Sequence, residues 1–243
     1  MSLKGKTTAE MIWNFLISRG LSECGAAGLM GNLKAESGLN PMNLQQTFER
    51  KLGHTDESYT AAVDAGTYAN FVKDSAGYGI AQWTYWSRKE KLLNYARSRK
   101  ASIGDLETQL CFLWAELAES YGSVLTALKS AKTILEASNA VLLKYERPAN
   151  QGTSVQQARA AYGRKFFDQF AAKAKVGDIV TFTGSKHYTS ANSSNAKACK
   201  GGKARITAIY QPGKAKHPYH LVRVSGAGAT VYGWVDTGTF TKA

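Results

Sequence analysis

The stretch Ser22–Pro41, SECGAAGLMGNLKAESGLNP, predicts one buried helix that ends in a carboxylate. Ser22 can cap the helix start by accepting from backbone N–H groups of the first turn. The run is then short of charge until Lys34. Leu29, Leu33 and Glu36 fall at i, i+4 and i+7, so the acid shares a stripe with apolar residues. Gly28 and Gly31 lower helix propensity and predict close packing of a neighbouring helix. A carboxyl held against apolar surface keeps its proton to higher pH, because burial disfavours the charged form. A general acid working near neutral pH needs that condition, which makes Glu36 the first candidate for chemistry. The competing reading is a surface Glu in a last helical turn, slightly unfavourable against the helix dipole.

Working outward, 243 residues leave room for one large or two modest domains. Hydrophobic residues make up 44% of the chain, and no apolar run is long enough to span a bilayer. The N-terminal stretch MSLKGKTTAEMIWNFLISRG carries a charge or polar group every few residues, so no cleaved secretion signal is expected. Cys24, Cys111 and Cys199 are odd in number and scattered, which argues against a disulfide framework and fits a reducing compartment. His54, His187, His217 and His220 lack metal-ligand spacing, so neither a metal nor another cofactor is expected. The net charge of +13 is uneven: residues 1–172 hold 20 Lys and Arg against 16 acids, whereas residues 173–243 hold 11 against 2. The basic end favours an anionic partner such as nucleic acid, a membrane surface or a cell-wall polymer.

Periodicity divides the chain at the same place. Helical patterns occupy 7–20, 22–38, 86–100, 105–120, 123–131, 133–146 and 154–172, while 40–85 has no sustained helical period and reads as long loops with a short hairpin. After residue 172 the segments VGDIVTFTG, KARITAIY, YHLVRVSG and TVYGWVDTG are rich in Val, Ile, Thr and Tyr and predict a small antiparallel barrel of four or five strands. The expected architecture is therefore α+β, with a mainly helical domain over 1–172 and a small β-barrel over 173–243.

A second run, Asp74-Ser75-Ala76-Gly77-Tyr78-Gly79-Ile80-Ala81-Gln82-Trp83-Thr84, places an amide among aromatic side chains beside two glycines. Tyr78, Trp83, Tyr85 and Trp86 offer flat apolar faces, and Gln82 offers both a donor and an acceptor. Sugars present an apolar ring face with a polar rim, so this composition suits them. The opposing reading puts Trp83 and Trp86 in the core, where aromatic residues often lie, and one of the two is expected there.

AESGLNP, DSAGYGIAQWTYWSRKEKLL and Tyr145-Glu146-Arg147-Pro148, in that order over residues 8–170, resemble the phage tail-type lysozyme family. That family comprises glycosidases of endolysins and tail-tip lysins, related in fold to goose-type lysozymes and soluble lytic transglycosylases. The resemblance implies a lysozyme-like fold in which Glu36 is the general acid, and Ser37 belongs to the same Glu-Ser motif. It implies that Gly77, Tyr78, Gly79 and Gln82, with the aromatic Trp83 next to them, belong to a groove-lining segment that holds the glycan. It also implies that the run from Tyr145 to Pro148 closes a helix near the cleft, where Glu146 could touch substrate but is more an ion-paired anchor for its helix end. Residues 175–243 resemble bacterial SH3-like cell-wall-binding modules, which implies His187, Tyr188, Tyr219 and Trp234 as wall-binding candidates. For the second carboxylate of glycoside cleavage the choice is Asp74, ahead of Asp56 and Asp64, unless the substrate completes the reaction itself as in lytic transglycosylases.

These readings combine into a peptidoglycan hydrolase that cuts the β-1,4 bond between N-acetylmuramic acid and N-acetylglucosamine. N-acetylglucosaminidase or lytic transglycosylase activity, or a non-catalytic wall-binding phage protein, are the alternatives. The implied partners are peptidoglycan and its anionic wall polymers. Nucleic acid is not expected, because the helical part lacks basic residues interleaved with aromatics. The same resemblance implies synthesis in the host cytoplasm and action at the wall, after holin-dependent release or from the virion.

Overall fold

The computed structural model describes residues 2–171, 174–212, 214–226 and 228–242. The chain divides into two compact units, Met1–Ala171 and Ala172–Ala243. The expected boundary at residues 172 and 173 lies outside the described residues.

Helix α2 (Glu23–Ser37) is the centre of the first unit, and its composition accounts for that place. Ser22 Oγ accepts the Gly25 N–H at 2.9 Å and closes the first turn. Gly38, at φ 68°, ends the helix in the left-handed region and returns its N–H to the Lys34 carbonyl. Between these caps, three glycines leave gaps that neighbouring backbones enter. A Cβ at Gly25 would lie 1.9 Å from the Leu128 carbonyl oxygen, one at Gly28 2.5 Å from Ala137 Cβ, and one at Gly31 2.3 Å from the Arg159 carbonyl oxygen. Helices α7 (Gly122–Ser130), α8 (Ile134–Val141) and α9 (Thr153–Phe170) use those gaps to pack against α2. Gly163 of α9 reciprocates, since a Cβ there would lie 2.6 Å from the Ala27 carbonyl oxygen.

The apolar stripe of α2, with Leu29, Met30 and Leu33 fully buried, meets Ile12, Trp13, Phe15 and Leu16 of α1 (Thr8–Ser18) in one core. Leu110, Leu113 and Leu117 of α6 (Leu106–Ser120) join the same core. Each such side chain contributes about 1.5–3 kcal/mol when fully buried.

Residues 40–85 hold more structure than a loop reading allows. Two short helices occur there, α3 (Gln46–Leu52) and α4 (Asp56–Asp64), the latter opened by a reciprocal Thr55–Ser58 capping box. Seven to nine residues are too few to print a helical period in sequence. Antiparallel bridges Leu44↔Tyr78 and Tyr78↔Trp83 then form a small hairpin before α5 (Trp86–Ser98). Helix α8 continues into one turn of π-helix, Leu142–Glu146, which Arg147 ends at φ 50° ahead of Pro148.

The second unit is an antiparallel sheet of seven strands among the described residues: β1 (Ile179–Phe182), β2 (Lys186–Tyr188), β3 (Ala196–Ala198), β4 (Gly202–Ile209), β5 (Tyr219–Arg223), β6 (Tyr232–Val235) and β7 (Phe240–Lys242). Their order is β3-β2-β6-β5-β4-β1-β7. Alternation along β1 and β4 buries Val180, Phe182, Ala204 and Ile206 against Leu221, Val231 and Val235. A register shift between Ile206 and Ala208 bends β4. The three-residue strands β2, β3 and β7 lie beyond the four segments that the sequence marks, being too short for alternation to register. With a helical unit and an antiparallel one, the chain is α+β.

The α2–α9 crossing yields a test. Gly31→Ala drives a methyl into the Arg159 backbone and is expected to cost about 1–3 kcal/mol. Gly122→Ala, where nothing lies within 4 Å, is expected to be neutral or stabilising. Urea midpoints of the two variants measure the difference.

Candidate active site

Glu36 sits in the last turn of α2, where the helix dipole is unfavourable to a carboxylate, and the fold supplies a cation to offset it. Arg159 Nη2 of α9 donates to Glu36 Oε1 at 2.5 Å, while Nη1 donates to Asn32 Oδ1 at 3.2 Å. Asn32 is oriented in turn by donating its Nδ2 to the Gly28 and Ser138 carbonyls and to Ser138 Oγ. The Glu36 carboxylate thus rests against a guanidinium and retains 20% side-chain exposure; it is not sealed against apolar surface as its stripe predicts. The apolar stripe is carried by Leu29 and Leu33, and the last turn leaves the core.

Glu36 lines a cavity of about 500 Å³ with Gln45, Gln82, Thr84, Tyr85, Arg88, Glu146 and Pro148. The elements that converge there are the end of α2, the 77–84 hairpin, the start of α5 and the π-helical turn. Ser37 ties two of them together. Its hydroxyl donates to the Leu33 and Ile80 carbonyls and it accepts the Leu39 N–H, so this buried side chain locks the end of α2 to the hairpin and is not free for a ligand.

The hairpin sorts its residues by the period of an extended chain. Tyr78 and Trp83 point inward and are fully buried, whereas Gln82 and Thr84 face the cavity. Tyr78 shares a 2.6 Å hydrogen bond with Thr60, and Trp83 Nε1 donates to Glu116. Both aromatic candidates are therefore core residues and offer no face to a ligand. Tyr85 and Trp86, 62% and 53% exposed with ring centroids 5.9 Å apart, supply the accessible aromatic surface. Gln82, held at φ 46°, is oriented by donating Nε2 to Asn43 Oδ1 and to the Asn43 and Gly79 carbonyls. Gly79 is required at its place, with φ 76° and a Cβ position only 2.7 Å from Gln109 Oε1.

Asp74 lies elsewhere. Its carboxylate is fully buried and accepts from Lys89 Nζ at 2.5 Å, the Ala76 N–H at 2.9 Å, Tyr68 Oη at 3.2 Å and Tyr59 Oη. Burial holds the Lys89 ammonium below the usual lysine range against the pull of Asp74. This buried ion pair joins α5 to the loop before the hairpin and does not line the Glu36 cavity. The other loop acids are also committed: Asp56 accepts from Asn40 and the Leu44 N–H, and Asp64 from the Ile103 N–H.

The carboxyl that does accompany Glu36 is Glu146. Burial first, and then the charge of Glu36, push it up to about 8, while Arg88 and Arg159 pull the other way. Its Oε1 is buried and has no hydrogen-bond partner, and no ion pair of Glu146 occurs among the described residues to anchor the helix end. Tyr145 points the opposite way, 2% exposed, and donates to Glu116 Oε2 at 2.6 Å. Glu116 also accepts from Arg88 Nε at 2.6 Å and Nη2 at 2.8 Å. Burial opposes its ionisation, but these donors outweigh it and hold Glu116 below the usual carboxylate range. The two cavity carboxyls thus differ in their surroundings: Glu36 is paired with a guanidinium, and Glu146 Oε1 is buried without a donor.

Arg159, Arg88 and Glu116 were missed by sequence reading. Arg159 left one signal, a lone cation among small residues in Ala158–Ala161 of α9. Arg88 and Glu116 left none, being ordinary charges on helices of mixed polarity.

In the second unit, Tyr188 is buried and stacks on His217 with ring centroids 3.4 Å apart, and Tyr219 packs edge-on against Phe240. His187 and Trp234 are half-buried. The accessible aromatic cluster runs through Tyr210, Trp234, His220 and Tyr232, with neighbouring centroids 5.4–6.3 Å apart. Among the described residues no group of His, Cys, Asp and Glu is placed to hold a metal, and no helix is long and apolar enough to cross a membrane.

The central helix of this unit thus delivers a glutamate to an open, polar cavity. The chain belongs to the phage tail lysozyme family, which matches residues 7–170. It is also similar to Morphogenesis protein 1 of Bacillus phage B103, with 27% identity over 187 residues that cover 73% of this chain and 43% of that protein. The chain thus spans less than half the length of that curated relative.

The role of Asp74 is open to direct test. Lys89→Met, which strands a buried carboxylate, is expected to cost about 3–5 kcal/mol. Asp74→Asn is expected to lower the thermal midpoint together with any activity. A wild-type midpoint with lost activity would return Asp74 to the chemistry.

Proposed function

We propose that this chain cleaves the glycan strand of peptidoglycan at the β-1,4 bond between N-acetylmuramic acid and N-acetylglucosamine, with Glu36 as general acid. One observation carries the reading: Glu36 shares its cavity with a second carboxyl, beside Gln45, Gln82, Thr84 and the exposed ring of Tyr85. Amides and a hydroxyl next to an aromatic face match the polar rim and apolar face of a sugar ring. Glu36 passes a proton to the glycosidic oxygen, the bond from that oxygen to the anomeric carbon breaks, and water adds to the carbon. Family membership supports the substrate class.

The second unit is proposed as an SH3-like module that holds the enzyme on the wall. Its support is the charge of residues 173–243 and the patch of Tyr210, Tyr232, Trp234 and His220. Rings for stacking and lysines for charge suit an anionic wall polymer. Action at the wall from the virion, or after holin-dependent release, completes the proposal; the family's description as tail lysozymes favours the virion.

Glu36→Gln is expected to slow release of fragments from purified peptidoglycan by about 10²–10⁴-fold while leaving the unfolding midpoint in place. Mass spectrometry of the wild-type fragments identifies the bond. Muramic acid reducing ends support the proposal, glucosamine reducing ends reassign the bond, and anhydro-muramyl ends make the enzyme a transglycosylase. In a pelleting assay with the full chain, Tyr232→Ala is expected to weaken retention on walls, and retention of the wild type should fall as salt rises.

A further inference from the structure

Resting on the glycosidase reading above, we infer that Glu146 holds the proton that Glu36 delivers, so that the two side chains work as one carboxyl pair across the cavity. Glu146 acts through Glu36 and is in that sense a positioning residue for the proton. Three features of geometry carry the inference. Both residues line the same cavity, brought there by the last turn of α2 and the π-helical turn after α8. Glu36 Oε1 accepts from Arg159 Nη2 at 2.5 Å, which leaves Oε2 to receive a proton. Glu146 Oε1 is buried with no donor, a setting far more costly for a carboxylate than for a carboxylic acid.

The charges around Glu146 agree with this division. Glu36 faces it from α2, Arg88 from α5, Glu116 from α6 and Arg159 from α9. Both arginines are already engaged, Arg88 by Glu116 and Arg159 by Glu36. Neither carries an ion pair to Glu146, and burial with the neighbouring Glu36 charge pushes its carboxyl up to about 8. The π-helical turn provides the placement, because it turns Tyr145 into the core and sends the next residue to the cavity.

The proton count closes. At rest the proton of the pair is on Glu146. As a glycan binds, the Glu146 proton passes to Glu36, and the Glu36 proton passes to the glycosidic oxygen. The bond between that oxygen and the anomeric carbon breaks, its electron pair staying on the leaving oxygen, which becomes a hydroxyl. A water oxygen bonds to the carbon, and the proton it sheds restores the pair. No oxidant, metal or further reactant takes part.

The test combines a pH profile with a stability measurement on the full chain. Wild-type fragment release is expected to decline as pH rises through about 8, where the pair loses its proton. In Glu146→Gln the alkaline limb should leave that region for lower pH, with Glu146→Asp restoring it in part. The stability readout is independent of activity. A carboxyl whose value is raised by folding stabilises the protein below the ordinary carboxylate range, and that contribution is lost as pH rises towards 8. The wild-type thermal midpoint should therefore fall between about pH 5 and 8 more steeply than that of Glu146→Gln. Identical profiles and slopes in wild type and Glu146→Gln overturn the inference and leave the glycosidase reading standing. A wild type that releases no fragments at any pH overturns the glycosidase reading and, with it, this role for Glu146.

Discussion

The backbone-to-backbone crossing of α2 and α9 at Gly31 and Gly163 is the constraint on which the first unit depends. Only two chains without side chains at that point can approach so closely. The approach fixes how far along α9 each residue lies relative to α2, and it sets Arg159 beside Asn32 and Glu36. Without the glycines the guanidinium would stand away from the carboxylate, and Glu36 would face an opposing helix dipole uncompensated. Packing and site chemistry are here one fact, because the same crossing closes the core and pairs the acid.

A second layer of polar contacts keeps the cavity walls in place. Glu116 collects Arg88, Tyr145 and Trp83, and so ties α5, the π-helical turn and the hairpin to α6. Asp74 and Lys89 perform the same service on the far side of the hairpin. Both carboxylates are saturated with donors, which suits a structural charge that must never be without a partner. Glu36 and Glu146, the carboxyls that line the cavity, meet fewer donors: Glu36 pairs with Arg159, and Glu146 Oε1 has none. The fold thus sets its acids apart by how many donors each one meets.

Much of this was legible along the chain. The capped, glycine-bearing helix ending in Glu36, the change to β-rich segments after residue 172 and the GYG hairpin can all be read from local pattern. The aromatic candidates were harder. Tyr78 and Trp83 look like sugar platforms because they stand beside Gln82, yet the alternation of the hairpin sends them inward and leaves Gln82 outside. Asp74 looked reactive for its place before the turn, and sequence held no sign that Lys89, Tyr59 and Tyr68 would surround it. The same blindness applied to the short helices and strands, whose few residues print no period.

The sequence by itself determined the elements, the two-part organisation and the carboxylate at the end of the central helix. Helical and strand periods, caps and charge are properties of neighbours in the chain. Tertiary structure alone decided which charges meet: Arg159 with Glu36 across 123 positions, Glu116 with Arg88 across 28, and Glu146 Oε1 with no donor among the described residues. The reason is physical. A carboxyl keeps or loses its proton according to burial and to charges a few ångströms away, and those charges come from segments whose distance in sequence says nothing of their distance in space.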